Sequence, residues 1–289
     1  MIKTSVIGLG AMGAGMAGNL HRAGLLAGAW NRSRARGENA ARAHGFELAE
    51  DMAAATRSAD LVITSVSADG DLLEVAEQLL PLLEAGKVVL DTSTVSTETA
   101  QQASDMFDAC GIRFIDGPVS GGREGAEKAT MVMMAGGDEE TLQRVMPALE
   151  VITSRVVHMG PVGSGQATKA VNQIMAAGIN QAVSEALAFG KASGLDMDKV
   201  IDVVGGGAAG NWFLDHRGKS MCSESFHPGF RVALHHKDLK ICQQMLSRFG
   251  VQMPVVEMSL VHYERLLERG HGDEDISALF RLKQEMFDN

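Results

Sequence analysis

Short apolar runs alternate with amphipathic stretches through the first half of the chain. The apolar runs are bounded by glycine or polar residues, which predicts buried strands, and the stretches between them have helical spacing. Strands that alternate with helices are typical of an α/β fold with a doubly wound parallel sheet. The predicted strands are 2–7, 25–30, 61–65, 87–91, 113–116 and 130–135, and the predicted helices are 12–23, 34–43, 49–58, 69–83, 97–110 and 139–149.

The pattern changes near residue 161. Gly160-Pro-Val-Gly-Ser-Gly165 predicts a hinge, and an apolar stretch with helical spacing then runs from Gln166 to Lys191. Polar side chains at intervals along this stretch exclude a membrane span. We therefore expect one long inter-domain helix followed by an all-helical domain. The remaining predicted helices are 197–204, 211–221, 234–249, 254–269 and 275–288.

A glycine signature follows the first predicted strand. Gly8, Gly10 and Gly13 form G-x-G-x-x-G between a strand and a helix. In a dinucleotide-binding turn the first glycine permits a tight turn, the second admits the pyrophosphate, and the third lets the helix pack closely. The N–H groups at the helix N-terminus would face the phosphates. The predicted contacts are Gly8, Leu9, Gly10, Ala11, Met12 and Gly13.

The end of the second strand predicts which dinucleotide binds. An acid there would bind the ribose 2′-OH of NAD, but the next acid in the chain is Glu38. Asn31, Arg32 and Ser33 stand there instead, and a guanidinium can fork onto a 2′-phosphate. We expect NADP, with NAD as the alternative, and Arg32 as the main contact. Residues 1–161 are thus predicted to form an NADP-binding Rossmann domain, and 162–289 a helical domain for substrate binding and dimerisation.

Composition limits the partners of this chain of 289 residues. Its net charge of −10 argues against nucleic acid. Three scattered cysteines form no C-x-x-C pair, so neither a metal nor a disulfide is expected. The start of the chain lacks the pattern of a signal peptide, and no apolar run reaches the ~20 residues of a membrane span. These observations predict a cytoplasmic protein.

Lys169, Asn172 and Gln173 share one face of the long helix, because they stand at i, i+3 and i+4. Burial among apolar neighbours and the positive end of the helix dipole would both disfavour the charged form of the lysine amine. This suits proton donation to a carbonyl oxygen. The same residues alone also fit a surface lysine whose stem lies along the helix.

Four segments together resemble the β-hydroxyacid dehydrogenases, which include 3-hydroxyisobutyrate dehydrogenase, tartronate semialdehyde reductase and glyoxylate/succinic semialdehyde reductase. They are the glycine signature over 8–20, Asp116-Gly-Pro-Val-Ser-Gly-Gly122, Lys169-Ala-Val-Asn-Gln173 and Lys237-Asp-Leu239. The resemblance covers essentially the whole chain. It implies a small substrate that bears a carboxylate. A helical domain built on one long helix often dimerises through it, so we expect a homodimer or homotetramer.

The resemblance also implies roles for individual residues. Lys169 would be the general acid in reduction and the base in oxidation. Ser120, Gly121 and Gly122 would hold the substrate carboxylate through the hydroxyl and backbone N–H groups. Asn172 would orient the substrate or the lysine. The remaining implied contacts are Gln173 and Trp212 to substrate, Val66, Ser67, Thr94 and Asp238 to cofactor, and Lys237 to either.

Two positions depart from the family pattern. Gln173 stands where many members have a second asparagine, a form that looks more like tartronate semialdehyde reductase. Ser67 stands where many have proline. Substrate specificity is predicted to depend on a further set of candidates, namely Arg123, Trp212, Arg217, His235 and His236.

The implied reaction is hydride transfer between NADP(H) and a small carboxylated aldehyde, a semialdehyde, with Lys169 supplying the proton to give a β-hydroxy acid. One alternative is oxidation of a β-hydroxy acid, such as 3-hydroxyisobutyrate, L-serine or a threonate-like compound. Imine reduction is another, although imine reductases commonly lack this lysine. A non-enzymatic cofactor sensor or scaffold is a third, and it would be expected to have lost Lys169.

Overall fold

The computed structural model describes residues 2–287, which fall into two compact units divided after Lys169. The first unit is built on a sheet. Its strands are β1 (Thr4–Ile7), β2 (Leu26–Trp30), β3 (Leu61–Thr64), β4 (Val88–Asp91), β5 (Arg113–Asp116), β6 (Val119–Ser120), β7 (Met131–Gly136) and β8 (Thr153–Gly160). Its helices are α1 (Gly13–Arg22), α2 (Arg34–His44), α3 (Met52–Thr56), α4 (Asp69–Leu79), α5 (Thr97–Asp108), α6 (Gly122–Lys128) and α7 (Glu139–Ile152).

Five strands of the sheet are parallel, in the order β2-β1-β3-β4-β5. This confirms the predicted α/β architecture. The chain leaves β1 for β2 on one side and later enters β3 on the other, so the carboxyl ends of β1 and β3 form the switch point where α/β sheets bind ligands. Loops after these strands are therefore the place to look for a cofactor.

The parallel arrangement that the sequence predicts ends at β5. Strand β7 runs antiparallel to β5 and β6 and pairs parallel with β8. A parallel crossover needs a dozen or more residues, and segment 121–130 between β6 and β7 is shorter than that. The chain therefore turns back instead of crossing the sheet.

Apolar side chains cover both faces of the parallel strands. Val6 and Ile63 belong to one buried cluster, while their neighbours Ile7 and Val62 belong to another. Adjacent residues of a strand point to opposite faces, so both faces are packed. This double burial explains why the strands read as continuous apolar runs.

The second unit is helical, as predicted. The long helix α8 (Ser164–Ala192) begins in the first unit and continues into the second. Four longer helices and one short helix complete it, namely α9 (Met197–Gly205), α10 (Trp212–Cys222), α11 (Val232–Ser247), α12 (Pro254–Glu268) and α13 (Leu279–Gln284). Their core includes Leu187, Leu239, Val256, Tyr263 and Phe280. Within residues 2–287, no helix combines the length and apolar character that crossing a membrane requires.

Several element boundaries differ from the prediction. The helix expected over 49–58 is shorter, at Met52–Thr56, and the helix expected over 275–288 is α13 flanked by two 3₁₀ turns, with Asp288 outside the described residues. Strand β8 was not predicted, because its half-exposed, mixed sequence lacks an apolar run. Strand β6 and helix α6 lie in a segment for which no strand or helix was predicted.

Candidate active site

The glycine turn after β1 has one open position and two closed ones. A Cβ built on Gly8 would lie 2.2 Å from the carbonyl oxygen of Ser65, and one on Gly13 would lie 1.9 Å from that of Gly8. A Cβ on Gly10 would meet no heavy atom within 4 Å. Packing therefore demands the outer glycines, while the middle one leaves space over the turn. This fits a pyrophosphate approaching the backbone at Gly10.

Asn31 fixes the loop that follows β2. Its Oδ1 accepts a hydrogen bond from the backbone N–H of Leu9 at 2.8 Å, and its Nδ2 donates to the carbonyl oxygen of Ser33 at 2.8 Å. The side chain thus joins the glycine turn to the end of β2. Of the predicted NADP contacts, Asn31 has a structural role that the sequence did not reveal.

Arg32 forms ion pairs with helix α4. Its Nη1 lies 2.9 Å from Oδ1 of Asp71 and 3.5 Å from Oε2 of Glu74, and its side chain is 71% exposed. The guanidinium is therefore accessible to a ligand. Glu38, the first acid in the chain after β2, pairs with Arg34 one turn earlier on α2.

A buried carboxylate organises the loops after β3 and β4. Asp91 Oδ1 accepts hydrogen bonds from the hydroxyls of Thr64 and Ser93, both at 2.7 Å. Ser93 Oγ in turn accepts from the backbone N–H of Val66 at 2.8 Å. The backbone of Val66, a predicted cofactor contact, is therefore held by the loop that follows β4. The other predicted cofactor contacts on these loops are the exposed Ser67 and the half-buried Thr94.

The segment after β5 lies along the start of α8. Asp116 accepts hydrogen bonds from the backbone N–H groups of Gly163 at 2.7 Å and Gln166 at 2.9 Å. Three residues further along both segments, Lys169 Nζ donates to the carbonyl oxygen of Val119 at 2.9 Å. The Lys169 residue is only 7% exposed. The long helix is thus joined to the Asp-Gly-Pro-Val-Ser motif at its first turns.

Burial raises the pKa of Asp116 to about 7, and the hydrogen bonds from Gly163 and Gln166 act in the opposite direction. The negative charge of Asp91 raises the pKa further. An acid that titrates near neutral pH therefore lies at the N-terminus of α8.

Gln166 is a site residue that sequence reasoning missed. Its Nε2 donates to the carbonyl oxygen of Ser93 at 2.8 Å, and its Oε1 accepts from the N–H of Val95 at 3.2 Å. It therefore ties the loop after β4 to the helix that carries Lys169. Its place three residues before Lys169 was the available signal, because that spacing puts both on one helix face.

Ser120 stands directly beside the lysine contact, since the preceding residue Val119 accepts from Lys169. The two glycines that follow have φ values of +138° at Gly121 and +63° at Gly122. Side-chain-bearing residues rarely adopt such angles, which explains the glycine pair. The structure thus brings Lys169 and the predicted carboxylate loop together.

Four predicted residues of the second unit form one hydrogen-bonded chain. Asn172 Nδ2 donates to Gln173 Oε1 at 2.8 Å, and Gln173 Nε2 donates to Asp238 Oδ2 at 2.6 Å. Lys237 Nζ pairs with Asp238 Oδ1 at 2.8 Å. The longer amide of Gln173, which departs from the family pattern, is therefore used to reach Asp238. The helices α8 and α11 are joined through it.

His235 is part of the core rather than the surface. Its Nε2 lies 3.2 Å from the carbonyl oxygen of Gln173, and its Nδ1 lies 3.0 Å from the hydroxyl of Tyr263. Asn180 Nδ2 also donates to that hydroxyl, at 3.0 Å. Burial raises the pKa of Tyr263, so the hydroxyl keeps its proton. This network holds α8 at the backbone carbonyl of Gln173.

The other specificity candidates lie outside these networks. Trp212 is 61% exposed and stacks on His216 with ring centroids 4.2 Å apart, so it is not a core residue. Arg123 forms an ion pair with Glu127, and Arg217 forms one with Asp275. His236 Nε2 lies 3.5 Å from Glu264 Oε1, and burial lowers the pKa of the imidazole. Within residues 2–287 there is no group of three or more His, Cys, Asp or Glu side chains that could hold a metal ion.

Two family models match the chain. Residues 3–160 match the NAD binding domain of 6-phosphogluconate dehydrogenase, and residues 163–283 match the NAD-binding domain of NADP-dependent 3-hydroxyisobutyrate dehydrogenase. The chain belongs to the β-hydroxyacid dehydrogenase family. It is an NAD(P)-dependent oxidoreductase that acts on CH–OH groups.

Named relatives agree with this membership. An NAD-dependent L-serine dehydrogenase of Pseudomonas aeruginosa is 32% identical, with 100% of this chain and 98% of the relative covered. A 2-(hydroxymethyl)glutarate dehydrogenase of Eubacterium barkeri is 31% identical, covering 99% and 96%. The solved structure of the 3-hydroxyisobutyrate dehydrogenase of Mycobacterium tuberculosis with L-serine is 31% identical, with a TM-score of 0.88 and coverage of 98% and 99%.

Proposed function

We propose that this family member interconverts a small carboxylated aldehyde and its β-hydroxy acid with NADP(H), using Lys169 as general acid and base. The observation that carries the proposal is the buried lysine amine, 2.9 Å from the carbonyl oxygen of Val119 and next to Ser120. The named relatives act on hydroxy acids that carry a carboxylate, which suits an anion-binding loop beside a proton donor.

Each step of the reaction draws on specific residues of the chain. A nicotinamide cofactor, when bound, supplies or accepts the hydride. Ser120 would bind the substrate carboxylate through its hydroxyl, with backbone N–H groups of Gly121 and Gly122. Lys169 would give a proton to the carbonyl oxygen in reduction and take it back in oxidation. Asn172 would orient the substrate, with Gln173, Lys237 and Trp212 as further substrate contacts.

The oxidative direction is the second candidate, and the names of the relatives favour it. Both are tested by one spectrophotometric panel with NADPH, NADH, NADP⁺ and NAD⁺. It would include succinic, methylmalonic and tartronic semialdehydes, glyoxylate, 3-hydroxyisobutyrate, L-serine and threonate. We expect turnover of carboxylated compounds in at least one direction. Turnover of cyclic imines without turnover of any compound in the panel would contradict the proposal.

The preference for NADP rests on the absence of an acid at the end of β2 and on the exposed guanidinium of Arg32. We expect Arg32→Ala to raise the NADPH dissociation constant roughly 10- to 100-fold, the worth of a charge-assisted hydrogen bond. NADH binding, measured by the same fluorescence titration, should change little. Arg36→Ala removes a nearby arginine and is the matched control. Equal losses for both cofactors would contradict the assignment.

The remaining cofactor contacts are proposed from position. The turn Gly8–Gly13 would hold the pyrophosphate, with Asn31 and Ser33 near the adenosine ribose. Val66, Ser67, Thr94 and Asp238 would lie along the nicotinamide half. A homodimer or homotetramer, a cytoplasmic location and a domain boundary after residue 161 stay predictions.

A further inference from the structure

Hydrogen bonds of the neighbouring Asn31 hold the backbone on both sides of Arg32. Asn31 bonds to the glycine turn through Leu9 and to the carbonyl of Ser33. The guanidinium nevertheless extends away from β2 and meets Asp71 on α4 at 2.9 Å. The ion pair therefore joins two elements that are separate in sequence.

The acidic partner is also fixed. Asp69, two residues earlier on α4, accepts hydrogen bonds at Oδ1 from Ser96 N–H at 2.9 Å, Ser96 Oγ at 2.7 Å and Thr99 Oγ1 at 2.6 Å. These bonds attach the first turn of α4 to the start of α5. The Asp71 side chain is only 22% exposed, while that of Arg32 is 71% exposed. The acid is thus the more buried member of the pair.

We propose that Asp71 sets the cofactor preference by competing with the 2′-phosphate for Arg32. The inference rests on the proposed NADP contact at Arg32. One guanidinium edge that donates to Asp71 cannot at the same time donate to a phosphate. Asp71 therefore weakens binding of NADPH and leaves binding of NADH unaffected.

The pair also places an acid beside the proposed 2′-phosphate contact although no acid stands at the end of β2. NAD sites place their acid on β2, where this chain has Asn31. Here the carboxylate comes from α4, and it acts on the arginine rather than replacing it. The residues at the end of β2 alone would therefore predict a stricter NADP preference than the Arg32–Asp71 ion pair supports.

The test is a fluorescence titration of the full chain with NADPH and with NADH at low ionic strength. Asp71→Asn removes the charge, Asp71→Glu keeps it, and Glu77→Gln removes a comparable exposed charge farther along α4. Arg32→Ala and the double variant Arg32→Ala/Asp71→Asn complete the set. Because Asp71→Glu keeps the charge while changing the side chain, it separates the loss of charge from the effect of a substitution at this position.

We expect Asp71→Asn to lower the NADPH dissociation constant about 2- to 5-fold, the range of an exposed ion pair, with no change for NADH. The effect should shrink as salt is added, because ions screen the exposed guanidinium of Arg32. Asp71→Glu and Glu77→Gln should bind as the unchanged chain does. In the Arg32→Ala background, Asp71→Asn should have no effect.

Several results would overturn the inference, and they differ in what else falls. Suppose that Arg32→Ala weakens binding of NADPH alone. If Asp71→Asn then leaves NADPH binding unchanged, or if Glu77→Gln has the same effect as Asp71→Asn, only the proposed competition is wrong. If Asp71→Asn tightens NADPH equally without Arg32, the acid acts on the ligand directly and the competition is again wrong. If Arg32→Ala affects both cofactors equally, the proposed NADP contact falls and the inference falls with it.

Discussion

At the scale of single residues, the hydrogen bond from Lys169 to Val119 decides where the amine points. The bond directs Nζ to the segment that continues into Ser120, so it brings the proposed proton donor next to the proposed carboxylate site. A buried, fixed amine suits proton transfer better than a mobile surface lysine, because its geometry costs nothing at the moment of reaction.

Replacing Lys169 by methionine tests this role while keeping most of the buried stem. We expect Lys169→Met to lower kcat by about 10²- to 10⁴-fold, the usual contribution of acid–base catalysis, with little change in the NADPH dissociation constant. Lys191→Met is the matched control, since Lys191 lies at the other end of α8 and pairs with Glu224. Steady-state kinetics with unchanged kcat would exclude Lys169 as the proton donor.

Residue spacing revealed some of the site and concealed the rest. Lys169, Asn172 and Gln173 could be recognised because their spacing puts them on one helix face. Asp71 could not, because its partner Arg32 lies 39 positions away, and the helical spacing of Gln166 does not show its bonds to residues about 70 positions away. Local pattern carries no record of such contacts. A prediction from sequence therefore finds residues that share a helix face more readily than residues joined by distant tertiary contacts.

At the scale of elements, the Gln173 amide joins α8 to α11 through its hydrogen bond to Asp238. Gln173 is 2% exposed and Asp238 is 4% exposed. A buried carboxylate that loses a hydrogen-bond donor costs more than the bond itself contributes. The fit between the two helices thus depends on the length of this one side chain.

Shortening that side chain should loosen the two helices. We expect Gln173→Asn to lower the free energy of unfolding by about 1–3 kcal/mol, because Asp238 then lacks the Nε2 donor. Thermal or urea unfolding measures the change. Gln244→Asn makes the same replacement at an exposed position of α11 and should be nearly neutral. Equal stability of the two variants would contradict the structural role of Gln173.

The elements differ in how well the sequence predicted them. Strand β5 has the predicted bounds, Arg113–Asp116, because an apolar pair lies between clear polar ends. Strand β8 pairs with β7 although its residues alternate irregularly between half-buried and exposed. Helix α6 holds three glycines or alanines in seven residues and is supported by packing on α1 rather than by propensity. Elements that depend on tertiary contacts were the ones missed.

At the scale of the whole molecule, Asp116 makes stability depend on pH. Its pKa is raised from 3.8 to about 7, so between these values the folded chain holds a proton that the unfolded chain has released. The stability that this proton contributes is complete below about pH 4 and is lost as the pH rises through about 7.

Comparison with Asp116→Asn isolates the contribution. We expect the free energy of unfolding of the unchanged chain, relative to that variant, to fall by a few kcal/mol, as an order of magnitude, between pH 4 and 7. Urea unfolding at a series of pH values measures it. Asp105→Asn alters an exposed acid and should show no such trend. A difference that is flat with pH would contradict the titration of Asp116.

Assembly is the other property of the whole molecule, and one apolar stripe along α8 bears on it. Val171, Met175 and Phe189 are 58%, 62% and 62% exposed, and Ala182 and Ala186 continue the stripe at helical spacing. Large exposed apolar patches mark interaction sites.

If α8 is the contact between subunits, a charge on this stripe should separate them. We expect Met175→Glu and Phe189→Glu to shift the mass measured by light scattering toward a monomer. Val203→Glu places the same charge on an exposed apolar residue of α9 and should leave the mass unchanged. An oligomer that survives both stripe variants is assembled through another surface.

In the glycine turn, selection for close packing and selection for ligand binding act on different positions. Positions 8 and 13 would stay glycine in any descendant that keeps this backbone, because neighbouring carbonyl groups leave no room for a methyl. Position 10 has that room, so only a ligand forbids an alanine there. A lineage that kept the architecture but abandoned its nucleotide would be free to drift at residue 10 alone, which makes that position a marker of retained chemistry among distant homologues.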